Sequence, residues 1–180
     1  MAADTLDIRS LWNFSNPKQS REVFQNKINE VSDSELKFEL KTQIARTLGL
    51  EAKFDEAHKY LNELEKEIKP EMKKAMTRYF LERGRVYNSS GKKEEAIKEF
   101  LKSFELAKAI NFEYLIVDAA HMLAIANKEF SEQKKWTEIA IENAKSAKDQ
   151  QTKDWMGSLL NNWGWSLFDQ KKFEQALIQF

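Results

Sequence analysis

The chain of 180 residues has no cysteine, only five glycines and two prolines, and a formal net charge of zero. Without cysteine there are no disulfide bonds, thiolate nucleophiles or cysteine-ligated zinc sites. Because 29 basic residues balance 29 acidic ones, no overall positive charge attracts nucleic acid or an anionic membrane. We therefore expect neither as a partner, and any electrostatic recognition must come from local patches.

Long apolar runs are also missing from the sequence. No segment approaches the roughly 20 apolar residues that a membrane-spanning helix needs. The start, MAADTLDIRS, is acidic where a secretory signal is basic. We therefore expect a cytoplasmic protein. With His58 and His121 as its only histidines, the chain is also expected to hold no metal and no cofactor.

The remaining pattern is helical. Few glycines and prolines, with no convincing alternation of apolar and polar residues, predict an all-α chain. One phrase recurs at intervals of about 40 residues, as KFDEAHKYL, KKEEAIKEF, KWTEIAIEN and KFEQALIQF. In each copy a small or apolar residue is predicted to open a helix: Ala57, Ala96, Ile139 and Ala176.

A second set of positions precedes the first by twelve residues: Ala45, Gly84, Asn127 and Gly164. Glycine costs about 1 kcal/mol relative to alanine inside a helix. The glycines at two of these positions therefore predict that a neighbouring helix packs closely there. Each unit then consists of a helix, a short turn and a second helix, with small residues where the helices cross.

Two segments, LERGRVYNSSGKKEEAIKEF and NNWGWSLFDQKKFEQAL, resemble tetratricopeptide repeats. Their signature positions are Gly84, Tyr87, Gly91 and Ala96 in the first, and Gly164 and Ala176 in the second. The opening LWNFSNPKQSREVF, with VDAAHMLAIA and GSLLNNWGWSLF, is similar to a group of bacterial tetratricopeptide-repeat proteins with no established activity. The resemblance implies an all-α, right-handed superhelix of helical hairpins and leaves the function open.

The chain is predicted to have two parts. Residues 1–36 form an N-terminal segment with a capping helix at about 18–31, and residues 37–180 form the repeat array. The repeats are expected at about 38–68, 77–110, 113–147 and 151–180. In an alternative interpretation of the N-terminal segment, Leu11, Trp12 and Phe14 fold back onto the array as a ligand of its own groove.

The last helix, predicted over 172–180, has no following helix to cover it. It is expected to expose its apolar residues, which are Phe173, Leu177, Ile178 and Phe180. Either the natural chain continues, or this end docks on another chain. In the second case we expect self-association through residues 172–180.

The resemblance implies that the first helix of each pair lines a concave groove. The residues directly after the small positions are expected to face it: Arg46, Arg85, Lys128 and Trp165. Four more residues are added to this predicted groove: Asp118, His121, Asn161 and Asn162. Successive basic side chains, with amides that hydrogen-bond a peptide backbone, favour binding of an extended protein segment, acidic in character.

A catalytic or small-ligand pocket is the alternative. Asp118 and His121 lie three residues apart, hence on one helix face, and a carboxylate that orients an imidazole makes a general base. No evident nucleophile accompanies them, although Ser89 and Ser90 lie in a predicted turn. We therefore expect no catalytic residues, and a non-catalytic scaffold that binds an unknown protein or peptide.

Overall fold

The computed structural model describes residues 6–180, so the first five residues of the predicted N-terminal segment lie outside the described range. Within that range the chain is helical and has no β-strand, which confirms the all-α class. No described helix has the length and apolar character that a bilayer span requires. After a 3-10 helix, Ile8–Leu11, the α-helices are α1 Pro17–Glu30, α2 Ser34–Leu50, α3 Phe54–Glu67, α4 Lys73–Ser89, α5 Lys93–Ala109, α6 Glu113–Ala126, α7 Phe130–Ser146, α8 Gln150–Lys153, α9 Trp155–Asp169 and α10 Phe173–Gln179.

Helices that follow one another in the chain pack on each other. α2 packs on α3, α4 on α5, α6 on α7 and α9 on α10. Further contacts of α2 with α4, α5 with α6 and α7 with α9 join one pair to the next. α1 packs on α2 and buries Phe24 completely. The apolar core is therefore a succession of interfaces along the chain.

Turns of one geometry follow four of the helices. One residue in each has a positive φ angle: Ala52, Gly91, Asn111 and Lys171. The backbone N–H of the residue after it donates to the carbonyl oxygen five residues earlier, as from Lys92 to Tyr87 at 2.9 Å. The turn between α6 and α7 differs, because Asn127 has an extended backbone and its side-chain amide donates to the carbonyl of Leu123 at 2.8 Å.

The register predicted for the third helix pair is wrong. α6 ends at Ala126, so Asn127 lies in a turn and not where two helices cross. The phrase that was predicted to open a helix at Ile139 lies instead in the middle of α7. α6 has 14 residues where α2 and α4 have 17 each, and it ends in an extended turn. A fixed repeat spacing therefore misplaces the residues of this pair.

Two glycines allow close helix packing, which confirms the prediction for these positions. Gly84 faces the fully buried ring of Phe100, which would overlap a Cβ atom at residue 84. A Cβ atom at Gly164 would lie 2.6 Å from the ring of Phe180. Gly157, in contrast, has nothing within 4 Å of its Cβ position.

Gly84→Ala is therefore expected to destabilise the protein. Overpacking a core costs about 1–3 kcal/mol, and the helix propensity of alanine returns about 1 kcal/mol. We expect the free energy of unfolding to fall by up to about 2 kcal/mol. Gly157→Ala is the matched control and should be neutral or slightly stabilising. Urea denaturation followed by circular dichroism compares the two, and equal midpoints would contradict close packing at Gly84.

Candidate binding site

The candidate site is a cavity of about 610 Å³, called here the central cavity. Its helical wall comes from α2, α4, α6, α8 and α9. In the described part of the chain, α3, α5, α7 and α10 contribute no residue to it. Residues 6–14, called the N-terminal segment from here on, close another side of the cavity. The volume is in the usual range for ligand pockets.

A row of polar and aromatic side chains, called here the polar ladder, lies on the helices that form the wall of the central cavity. On α2, α4 and α6 its members have the spacing i, i+4, i+7, which places them on one face of each helix. α9 adds two members to this row. The ladder consists of Glu39, Gln43 and Arg46; Arg78, Glu82 and Arg85; Tyr114, Asp118 and His121; and Trp155 and Asn162.

Corresponding ladder positions on α2 and α4 contact each other. Nε of Arg78 lies 2.7 Å from Oε2 of Glu39. Nε2 of Gln43 donates to Oε1 of Glu82 at 3.2 Å. Both contacts join residues 39 positions apart in the sequence. The ladder therefore links the first helices of successive pairs. Seven of its eleven members also line the cavity: Glu39, Gln43, Arg46, Arg78, Tyr114, Asp118 and Trp155.

Arg85 lies at the centre of the ladder. Its guanidinium donates to Glu82 at 2.8 Å and to Asp118, and both carboxylates are buried. Burial alone lowers the pKa of Arg85, but the charges of Asp118 and Glu82 outweigh burial and raise the pKa. Burial favours the neutral form of Asp118, yet Arg85 and then Arg46 hold the pKa of that carboxyl below its ordinary value. Arg85 and Asp118 are thus both charged at neutral pH.

Arg46 borders the open space of the central cavity. Its Nη1 lies 3.8 Å from Oε1 of Glu82. Its guanidinium lies 5.1 Å from the ring centre of Trp12 and 5.2 Å from that of Phe14. Burial, followed by repulsion from Arg85, lowers the pKa of Arg46. Arg46 is therefore a surface for stacking aromatic rings more than an unpaired cation.

His121 is not hydrogen-bonded to Asp118 within the described residues, because Asp118 accepts from Arg85 instead. Nε2 of His121 lies 3.2 Å from the side-chain nitrogen of Asn162. The imidazole packs 5.3 Å from the ring of Trp155. Burial lowers the pKa of His121, and the charge of Asp118 opposes this shift. The contacts hold His121 as a link from α6 to α9.

The charges around the central cavity do not favour the acidic ligand that the sequence suggests. The lining contains six carboxylates and four cations. Arg46 and Arg85 are predicted to face the groove as basic side chains for an acidic segment, but both lie beside the carboxylate of Glu82. Aromatic rings are the other shared element of the lining: Trp12, Phe14, Phe112, Tyr114 and Trp155. Among the described side chains, no group of three or more His, Asp and Glu could hold a metal ion.

Of the predicted groove residues, Arg46 and Asp118 line the central cavity. Arg85, His121 and Asn162 belong to the polar ladder but do not line the cavity, and three others lie apart from both. Lys128 is exposed in the turn after α6. The position on α6 that corresponds to Arg46 and Arg85 is occupied by His121, and not by Lys128 as predicted. Asn161 is exposed on α9. Trp165 is 54% exposed and packs 5.4 Å from the ring of Phe180. The fold thus brings five of the predicted residues together in the polar ladder: Arg46, Arg85, Asp118, His121 and Asn162. It separates Lys128, Asn161 and Trp165 from them.

Several ladder members are absent from the sequence prediction. A sequence pattern could have identified most of them, because residues 39–46, 78–85 and 114–121 each carry polar or aromatic side chains at i, i+4 and i+7. The members missed in this way include Glu39, Gln43, Arg78, Tyr114 and Trp155. Aligning these triplets, instead of the small residues, gives the correct register for α6.

The chain matches no protein-family model and no curated protein. Its resemblance to tetratricopeptide repeats therefore depends on the residues quoted above. Function has to be inferred from the central cavity and the polar ladder.

Asp118→Asn is expected to destabilise the protein, because Arg85 loses a buried counter-charge. Removing one partner of a buried ion pair costs about 3–5 kcal/mol, and we expect the lower end since Glu82 still pairs with Arg85. Glu67→Gln is the control. It removes the partner of Lys41 from a solvent-exposed pair and should cost less than about 1 kcal/mol. Similar losses for both variants in urea denaturation would show that the buried pair does not stabilise the fold.

Proposed function

We propose that this protein is a non-catalytic scaffold that binds an extended segment of another protein in the central cavity. The observation that carries the proposal is the origin of the wall, which comes from the first helix of each successive pair together with the short helix α8. One extended segment lying in the cavity would contact all of these helices. Such a continuous surface is how helical-repeat proteins recognise other proteins.

We also propose that the helix pairs form a right-handed superhelix like that of tetratricopeptide repeats. The recurring turns with a positive φ angle support this arrangement. So does the shared packing of Gly84 on Phe100 and of Gly164 on Phe180, in which each glycine precedes its aromatic partner by 16 residues. The central cavity then lies on the concave side of the superhelix.

Recognition in the cavity is proposed to combine ring stacking with hydrogen bonds to the backbone of the bound segment. Trp155 lines the cavity, and its indole Nε1 is buried without a hydrogen-bond partner among the described residues. An unsatisfied donor costs free energy. Because Nε1 is buried, the indole has to rotate before the carbonyl of a bound segment can accept from it, and the gain of this hydrogen bond favours that rotation. Because the carboxylates of the lining outnumber its cations, we expect no preference for acidic segments.

Selection of peptides from a random display library on the wild-type chain tests this proposal. Ser158 is exposed and lines the cavity from α9, so Ser158→Tyr should obstruct the cavity without disturbing the core. We expect the selected peptides to lose at least about tenfold in affinity for this variant, which corresponds to about 1.4 kcal/mol. Isothermal titration calorimetry measures the change.

The matched control is Ser131→Tyr, which adds the same side chain at an exposed position of α7 outside the cavity. Its affinity for the peptides should equal that of wild type. Equal loss in both variants, or none in either, would place the peptides elsewhere. Failure to select any binding peptide would contradict the scaffold function itself.

Self-association is a second candidate function, supported by an apolar surface on α9 and α10. Six large side chains there are 46–81% exposed: Trp165, Phe168, Phe173, Leu177, Ile178 and Phe180. A contiguous apolar surface of this kind is typical of a protein contact. We propose that a second copy of the chain covers it.

Leu177→Asp should then yield monomers, because it places a charge in the middle of the contact. Leu177 is 76% exposed, so the substitution leaves the core intact. Leu101→Asp on α5, at a residue 38% exposed, is the control and should keep the wild-type mass. Sedimentation equilibrium measures the mass, and a wild-type chain that is already monomeric would refute the self-association.

A further inference from the structure

The N-terminal segment has a buried anchor and an exposed tip. Its 3-10 helix carries Ile8, which is 5% exposed and packs in the cluster of Phe24 and Ile44. Phe14, near the other end of the segment, is 54% exposed. Apolar burial holds the anchor in place. The tip consists of Trp12 and Phe14. Trp12 is half-buried, with its ring centre 5.0 Å from that of Phe24, so this contact is lost when the tip moves, whereas Phe14 has little buried surface to lose.

The tip contacts the wall of the central cavity as a bound peptide would. The rings of Trp12 and Phe14 are stacked, with centres 4.8 Å apart and 2° between their planes. Both rings lie beside the guanidinium of Arg46, a favourable contact of a cation with aromatic rings. The indole Nε1 of Trp12 donates to Oε1 of Gln43 at 3.0 Å. An external aromatic side chain can stack on Arg46 instead, and one with a ring donor can also bond to Oε1 of Gln43.

The segment also reaches across the cavity. Its Asp7 accepts a hydrogen bond from the side-chain amide of Gln151, on α8, at 2.8 Å. The segment therefore contacts α2 at one side and α8 at the other. While Trp12 and Phe14 are in place, a partner segment cannot bond to Oε1 of Gln43 or stack on the part of the Arg46 guanidinium that these rings cover.

We infer that Trp12 and Phe14 are an intramolecular ligand of the central cavity, and that the partner segment displaces them with an aromatic side chain of its own. The inference rests on the proposed function of the cavity. It adds what the partner must carry and a reason why binding is regulated. If the tip occupies the site in about nine of ten molecules, the apparent affinity for a competing segment falls about tenfold.

A peptide with the sequence of residues 10–15, SLWNFS, is the probe. It carries the tip without the anchor, so it competes only for the site next to Arg46. We expect it to bind Trp12→Ala/Phe14→Ala at least about tenfold more tightly than wild type. Titration followed by NMR chemical shifts measures weak dissociation constants, and the shifts should centre on Gln43 and Arg46.

Three controls accompany this titration. Phe14→Ala alone removes an exposed ring without touching the core, and should show an intermediate affinity. Phe173→Ala removes a ring of equal exposure, 55%, from α10 and should bind the probe as weakly as wild type does. The peptide SLLNLS, which lacks both aromatic rings, should bind none of the variants. Circular dichroism confirms that each variant is folded.

Three results would overturn the inference. The probe could bind wild type and Trp12→Ala/Phe14→Ala equally, which would show that the tip does not compete. It could also fail to bind either variant that lacks the tip rings, which would make the tip a structural part of the wall. Library peptides distinguish a failure of this inference from a failure of the proposed function. If they bind the cavity with equal affinity in wild type and Trp12→Ala/Phe14→Ala, the scaffold stands and the intramolecular ligand alone is refuted by this third result.

Discussion

The arrangement of helices depends most on the buried ion pairs of Arg85. This residue joins Glu82 on its own helix to Asp118 on α6, while Arg46 on α2 approaches Glu82 from the other side. Buried charges are costly unless opposite charges lie close to them. The group contains two cations, Arg46 and Arg85, and two carboxylates. Their charges compensate each other only when α2, α4 and α6 are aligned in one register. Apolar contacts alone would specify that register less sharply, since they tolerate repacking.

The same ion pairs determine what the central cavity can recognise. The positive charge of Arg85 is already compensated by two bound carboxylates, so Arg85 does not attract an acidic ligand. Arg46 shares Glu82 with Arg85 and presents a planar face to the cavity. Planar guanidinium groups stack well on aromatic rings. The groups that hold the helices in register thus leave ring stacking and hydrogen bonding as the means of recognition.

The sequence predicts the helices better than it predicts the site. The capping helix predicted at about 18–31 corresponds to α1, Pro17–Glu30, and the close packing at Gly84 follows from the cost of glycine in a helix. The third pair is misplaced because α6 is short and has no glycine, so nothing marks its crossing point. Pairing of Arg85 with Asp118 was missed since a sequence shows which residues share a helix face, but not which charge on the next helix lies opposite.

The position of the tip relative to the ladder explains how the cavity can open without loss of the fold. Gln43 contacts the tip through Oε1 and Glu82 through Nε2, so release of Trp12 frees one group and leaves the other bonded. Arg46 likewise keeps its approach to Glu82 when the rings move away. The ion pairs of Arg85 lie one helix further in and make no contact with the tip among the described residues. The tip therefore acts on the edge of the ladder, and the interactions that align the helices remain intact when it leaves.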